Sequence, residues 1–545
     1  MTTARACAWF SALVALAAAL VLVPAPAFAV PAPAGGIPPS APMELPSLAG
    51  VSRAGTDTWI VGGRPGPATA RIARRSGARP LLPAGGVYAI GRARARPLAA
   101  ALGAVGRLTF AEPSVRSRRA GFPSDPLTPR QWWLPAVIDP ELTPPPVTAQ
   151  SPRLGVVDAQ VDLTHPDLRD SKIESTTPGP VDELHGTAVT GIAGAPANGI
   201  GIVGVWPGMR VLLAPDEQTC ESVVAAINRL VAKKVSVINM SYGFAENDCY
   251  AHYVATQYAF GQGVLPVASG GNEFEAGNLP IRPASDPHVV SVAATTRSNG
   301  KASFSNENQA IDISAPGVGV LTTVPLKLDT DDDARDGYAG LPGTSFSSPI
   351  VAAAATWLRA ERPTLANGQI AEILRASAHD LGRPGYDPDF GNGLLDMRAA
   401  LAAPTPVPDL GEPNDDIEWI DGRRFASPDP SILRAGEDSS SLRAKLHRFE
   451  DPIDVWRLVA PPRSTLSVRS VPRFGDPDLE AFRVGAKTVF SQKRLIGRSI
   501  RPAGKTDTVT VTNRLDRPAT VFVSVYIDAS VGRIDAAYRL QVSRR

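Results

Sequence analysis

The chain has 545 residues, 43% hydrophobic and 20% charged, with a formal net charge of +2. The length excludes a single hydrophobic core and suits roughly 3–4 domain-sized pieces. The composition fits a soluble globular protein, and the net charge singles out no partner class.

From the N-terminus, Arg5 precedes an apolar run from Trp9 to Val23, and Ala27-Phe28-Ala29 supplies a small-x-small cleavage site. This is the pattern of a secretory signal over residues 1–29. The run is short of the ~20 residues of a spanning helix, and no later stretch approaches that length. The expectation is an exported protein, extracellular or periplasmic, with no membrane span. Loss of the signal removes Cys7 and leaves Cys220 and Cys249. An even pair in an oxidising compartment favours a disulfide over two buried thiols.

Residues 30–125 are rich in Pro, Gly and Ala. Up to Gln131 there are fourteen Arg and no Lys, against only Glu44, Asp57, Glu112 and Asp125. Strands are predicted at Asp57–Gly62, Gly86–Ile90 and Arg107–Glu112, and helices at Pro67–Arg75 and Arg96–Leu102. Together they make a small α+β unit. A nucleic-acid-binding arm is the rival reading of so much Arg, but export and the regular β–α alternation argue against it.

Over residues 126–403 short apolar strands alternate with helices. The strands are Arg153–Asp158, Met209–Leu213, Val235–Met240, Gly263–Ala268 and His288–Ala294, with helices at Ser222–Lys233 and Tyr250–Gln262. This pattern predicts an α/β domain with a mostly parallel, doubly wound sheet. Ligands in such sheets sit at the C-terminal strand ends, which directs attention to Asp158, Ser241 and the residues after Ala268. Residues 404–415, opening Pro404-Thr405-Pro406-Val407-Pro408, read as a linker. Over 416–545 β-type alternation at Asp454–Val459, Thr465–Val468, Thr508–Val511, Thr520–Val525 and Tyr538–Val542 predicts a small β-sandwich.

The chemistry centres on Gly343-Thr344-Ser345-Phe346-Ser347-Ser348-Pro349, which runs into the Ala-rich stretch Ile350–Leu358. A buried helix there would put Ser345 at its N-terminus, where N–H groups lack intrahelical partners and the dipole favours negative charge. Ser345 is then either a nucleophile or a simple helix cap. A nucleophile needs a base. His185 is followed by Gly186-Thr187 and a run of small residues, whereas His165, His252, His288, His379 and His447 have no comparable setting. Asp158, ending a buried strand, supplies the carboxylate to orient it.

The order Asp158, His185, Ser345 is that of subtilisin, and over about Leu154–Leu401 the chain resembles a subtilisin-like serine peptidase (subtilase). Gly155–Asp162 with His165-Pro166-Asp167-Leu168 resembles the family's aspartate block. His185–Val189 resembles its histidine block, Ala268–Glu273 its oxyanion block and Gly343–Pro349 its serine block. Ile238–Gly243, Ala302–Asn306, Ala315–Gly317 and Gly391–Leu394 are lesser matches. The resemblance implies that Ser345 attacks the scissile carbonyl, His185 carries the proton, Asp158 fixes the imidazole and Asn272 donates to the oxyanion. It implies that Ser241, Tyr242, Gly243 and Gly270 line the substrate, and that the substrate is a protein or peptide. It implies no required cofactor, but a candidate structural Ca²⁺ at Asp167, Asn198, Ile200 and Ile202. Residues 30–125 resemble the inhibitory propeptide, cleaved between Glu112 and Gln131, at about Arg118-Arg119. The tail resembles the bacterial pre-peptidase C-terminal domain. The implied protein is a pre-pro-enzyme whose own propeptide is its inhibitor; the rival is a catalytically silent peptide binder or adhesion module.

The departures are local. Ala159 and Gln160 replace the usual hydroxyl and Gly, which leaves Asp158 short of a hydrogen bond. Ala188 and Thr190 replace the usual His and Ala, and Phe346-Ser347 the common Met-Ala. The pattern Gly199–Gly204 matches GxGxxG, but Trp206-Pro207-Gly208 and a strand follow it instead of a helix, so it is not a dinucleotide site. The disulfide is expected to brace the substrate wall, provided that the strands before Cys220 and Cys249 are neighbours.

Overall fold

The computed structural model describes residues 55–115, 121–245, 248–330, 335–422, 430–527 and 535–545. The signal segment and the Arg118-Arg119 junction lie outside the described residues. The chain divides into two units, one ending at Arg118 and one beginning at Arg119.

In the first unit an antiparallel sheet has the order Arg79–Leu82, Val87–Gly91, Gly55–Gly63, Leu108–Val115. Helices Pro67–Arg75 and Arg92–Gly103 pack on it around Trp59, Val61, Ala73, Tyr88, Ile90, Leu98 and Leu102. The strand Arg79–Leu82 was not expected; it is exposed along its whole length and so has no apolar alternation. The second helix starts at Arg92 with Pro97 inside it. Proline favours a first turn, which made Arg96 the start on sequence alone.

The second unit is built on a seven-stranded sheet in the order Ile313–Pro316, Val290–Thr295, Leu265–Ser269, Val237–Met240, Arg153–Asp158, Arg210–Pro215, Ile173–Ser175. Every pairing is parallel. Period-two alternation serves both faces. Leu154, Val156, Val211, Leu213, Val237, Leu265 and Val267 join a core with the helices His185–Gly194, Thr344–Glu361 and Asn367–Ala376. Val157, Leu212, Ala214, Ile238, Met240 and Ala268 meet Cys220–Ala232 and Tyr250–Gly261 on the other side. The sheet is therefore doubly wound. Its strand order reverses beside Arg153–Asp158, which makes a crevice at the C-terminal strand ends.

Beyond residue 430 two sheets form a sandwich. One has the order Ser431–Leu433, Ile453–Ala460, Ala519–Ile527, Pro477–Arg483, Leu495–Ser499; the other Ser439–His447, Asp535–Arg544, Ser464–Phe474, Asp507–Asn513. Trp456, Leu458, Leu466, Val468, Val523, Val525, Tyr538 and Leu540 fill its core. Residues 404–415 do not hang free: Arg362 bonds Ala403 O and Thr405 Oγ1, Gln369 bonds Pro406 O, and Asn414 is fully buried.

Candidate active site

Asp158 ends the central strand, buried, and His185 opens a helix. The His185 Nδ1–H reaches both carboxylate oxygens of Asp158, at 2.8 and 3.0 Å. Gly186 allows the approach, since a Cβ there would lie 2.0 Å from the Ala159 carbonyl oxygen. The hydrogen bond that Ala159 seemed to forfeit is made by its backbone, whose N–H donates to Asp158 Oδ1 at 2.8 Å. Gln160 turns away to Ser175 and Thr177. Burial pulls the His185 imidazole down, but the charge and hydrogen bond of Asp158 outweigh it and leave the group above its usual value.

Ser345 is the second residue of Thr344–Glu361, so the helix begins a turn and a half before the Ala-rich stretch. Its N–H has no intrahelical acceptor. Its C=O is also released, because Pro349, four residues on, has no N–H to offer. The Ser241 hydroxyl donates to that carbonyl at 2.8 Å. In return Ser345 Oγ–H donates to the Ser241 carbonyl at 3.2 Å, its single hydrogen bond among the described residues. The His185 ring lies 5.5 Å, between centroids, from that of Phe346, the residue after Ser345.

Asn272 stands on the loop after Leu265–Ser269, exposed to solvent. Its Oδ1 accepts the Thr344 N–H at 2.9 Å and the Thr344 hydroxyl at 3.0 Å. The amide nitrogen is left free among the described residues. Asn306 supports the loop by donating its N–H to Gly271 O and accepting the Glu273 N–H. Gly270 and Gly271 are needed for close packing, against Ile311 and Val292 in one case and Asn306 in the other.

Ser241, Tyr242 and Gly243 leave the strand Val237–Met240 together. The Tyr242 hydroxyl and His252 Nε2 share a hydrogen bond at 2.8 Å. Burial holds that imidazole down at about 4, hence neutral near pH 7. Sequence reasoning passed over His252, Thr344 and Asn239. Asn239 is fully buried, accepts from Ser348 Oγ at 2.7 Å and donates to Ser241 Oγ at 2.9 Å. A polar residue in the otherwise apolar stretch Val237–Met240 was the available signal. Asp216 was also missed: burial pushes it up to about 6, and it adds negative charge near His185.

The expected calcium loop closes on itself. Asp167 Oδ2 accepts the Ile202 N–H at 2.9 Å and the Tyr338 hydroxyl at 3.1 Å, and Asn198 Oδ1 accepts the Ile200 N–H. Among the side-chain oxygens of these residues Asp167 Oδ1 is buried without a donor, and a Ca²⁺ bound here would take its other oxygens from loop carbonyls.

Cys220 and Cys249 are bonded, Cα atoms 5.6 Å apart. The strands ahead of them are not neighbours, because Arg153–Asp158 lies between. The link comes instead from helices: Cys220 opens one and Cys249 caps the next.

The chain matches the Subtilase family over residues 150–393. It is 30% identical over 265 residues to subtilisin of Bacillus pumilus, covering 46% of this chain and 92% of that protein. It is equally 30% identical to Subtilisin E of Bacillus subtilis (strain 168), again over 46% of this chain, and spans 66% of that protein's length. The crystal structure of fervidolysin from Fervidobacterium pennivorans aligns at 20% identity over 85% of each chain, with a TM-score of 0.44. The chain belongs to the subtilase family, whose members include the subtilisin serine peptidases.

Proposed function

We propose that this protein is a secreted serine endopeptidase, made as a pre-pro-enzyme, that cleaves proteins or peptides through Asp158, His185 and Ser345. The observation that carries this reading is the clamp of Asn272 Oδ1 on Thr344, which leaves its amide N–H free beside the Ser345 N–H. Both N–H groups are then available as donors to a developing oxyanion. In this reading Ser345 Oγ exchanges the Ser241 carbonyl for His185 Nε2 as its hydrogen-bond acceptor. Oγ then attacks the substrate carbonyl carbon, and Nε2 takes the proton. The imidazolium, held by Asp158, returns the proton to the amine nitrogen as the peptide bond breaks. Water repeats the sequence on the acyl-enzyme and frees Ser345. Ser241, Tyr242, Gly243 and Gly270 line the peptide, which adds as an extended strand. Residues 30–125 act as intramolecular chaperone and inhibitor.

Incubation of the secreted protein with a fluorophosphonate probe tests the reading. The wild type should be labelled at neutral pH and Ser345→Ala should not, and the variant should stay uncleaved at the pro-junction. An unlabelled wild type would leave only a peptide-binding role.

A further inference from the structure

The segment Ser241–Gly243 runs between the strands Val237–Met240 and Phe244–Ala245. Successive side chains of an extended chain point to opposite sides. Ser241 faces Ser345, with its hydroxyl on the Ser345 carbonyl. Tyr242 turns the other way and packs against the core shared with the helices Cys220–Ala232 and Tyr250–Gly261. There its ring meets those of Phe244 and His252 edge to face, at 5.9 and 5.7 Å between centroids. Phe244 and His252 lie 5.9 Å apart and close the cluster. Beside it Ile281–Arg282 pairs antiparallel with Phe244–Ala245, and Arg282 is tied to Asp286 at 2.7 Å.

His252 is the odd member of this cluster. It is fully buried, and burial, with the Arg282 charge, holds its imidazole neutral near pH 7. Its Nδ1 is buried without a partner. Such an atom costs stability and calls for an explanation, since an aromatic hydrocarbon ring would fill the same space without it. What the imidazole alone supplies is Nε2, which shares the 2.8 Å hydrogen bond with the Tyr242 hydroxyl. The ring is itself fixed. His252 stands in the first turn of Tyr250–Gly261, its N–H donates to Cys249 O at 2.9 Å, and Cys249 is bonded to Cys220.

We propose that His252 is a positioning residue: by holding the Tyr242 hydroxyl it fixes the line of Ser241–Gly243, and so sets the affinity for an extended peptide. This rests on the peptidase reading, in which those three residues line the substrate. An added strand pairs through main-chain hydrogen bonds, which demand a wall of fixed register. A wall held before the peptide arrives need not be ordered on binding. His252 stands behind Tyr242, on the side away from Ser345, so its effect belongs to binding and not to the chemical step.

The test starts from fluorophosphonate labelling: an unlabelled parent overturns the peptidase reading and this proposal with it. On a labelled parent, hydrolysis of a tetrapeptide p-nitroanilide is compared with that of an N-acetylated single-residue ester, which reaches Ser345 but not Gly243. His252→Phe should raise KM for the tetrapeptide roughly 3–10-fold, with kcat, ester hydrolysis and labelling rate within about twofold of the parent. His252→Gln, whose side-chain amide reaches the place of Nε2, should restore most of the affinity. Tyr242→Phe should match His252→Phe, and the two together should be no worse than either alone. Equal losses on ester and tetrapeptide, or slower labelling, would mean a merely structural role and overturn the proposal. So would an unchanged KM, or additive effects of the two substitutions. If His252→Phe does not fold, the other two variants decide: Tyr242→Phe must raise KM, and His252→Gln must keep it near that of the parent.

Discussion

Asn272 directs its carbonyl oxygen at Thr344, and in the proposed mechanism the direction of that amide decides whether the oxyanion meets one hydrogen-bond donor or two. Thr344 is itself fixed, since it is fully buried and its hydroxyl also accepts the Gly271 N–H at 3.3 Å. Thr344→Val keeps the backbone contact and removes the hydroxyl. With about 1 kcal/mol for a neutral hydrogen bond, kcat should fall roughly fivefold with little change in KM, and Thr344→Ser should restore it; equal loss in both variants would show a merely structural role. His185 gives a pH signature. Its folded value lies above the ordinary imidazole range, and only the neutral ring accepts a proton. The acid limb of kcat/KM should therefore be centred above pH 6.5, with activity lost as pH falls through it. Asp216 contributes to that elevation, so Asp216→Asn should move the limb to lower pH; a limb that stays put would contradict this.

Among the elements, the disulfide joins two helices rather than two strands. Cys220 and Cys249 are 29 residues apart in sequence and stand at the starts of Cys220–Ala232 and Tyr250–Gly261, which cover one face of the sheet. The bond closes a loop that contains the strand Val237–Met240 and the segment Ser241–Gly243. Cross-linking a loop of this size is worth ~2–4 kcal/mol. In the Ser345→Ala background, Cys220→Ser with Cys249→Ser should lower the urea midpoint and, because the unfolded chain is freed to expand, steepen the slope. An unchanged midpoint would mean that helix packing alone fixes this face.

Across the whole molecule, legibility followed the clarity of the local pattern. Apolar runs such as Arg153–Asp158 and Leu265–Ser269 showed the parallel strands, and alternation in Asp454–Val459 showed a sandwich strand. Both patterns report burial, so Arg79–Leu82, exposed throughout, left no trace. Asp158, His185, Asn272 and Ser345 were singled out in the sequence because blocks of neighbours set them apart. Thr344 and Asn239 sat inside those blocks unnoticed, since their value lies in partners distant in sequence. The course of residues 404–415 was hidden for the same reason. Pro-rich residues 404–408 suggested a free linker, whereas the acids after them meet groups such as His288 and Asp454 from elsewhere in the chain.

The position of Arg153–Asp158 also sets an order in time. It is the first strand of its sheet to be made, yet it lies inside, between Arg210–Pro215 and Val237–Met240. At a synthesis rate of ~5–20 residues per second, Asp158 waits for both neighbours, and the helix bearing Ser345 comes later still. Parallel pairing through long crossovers is slow to form. A half-made chain thus holds Asp158 and His185 without Ser345, and so lacks the activity proposed for the finished protein.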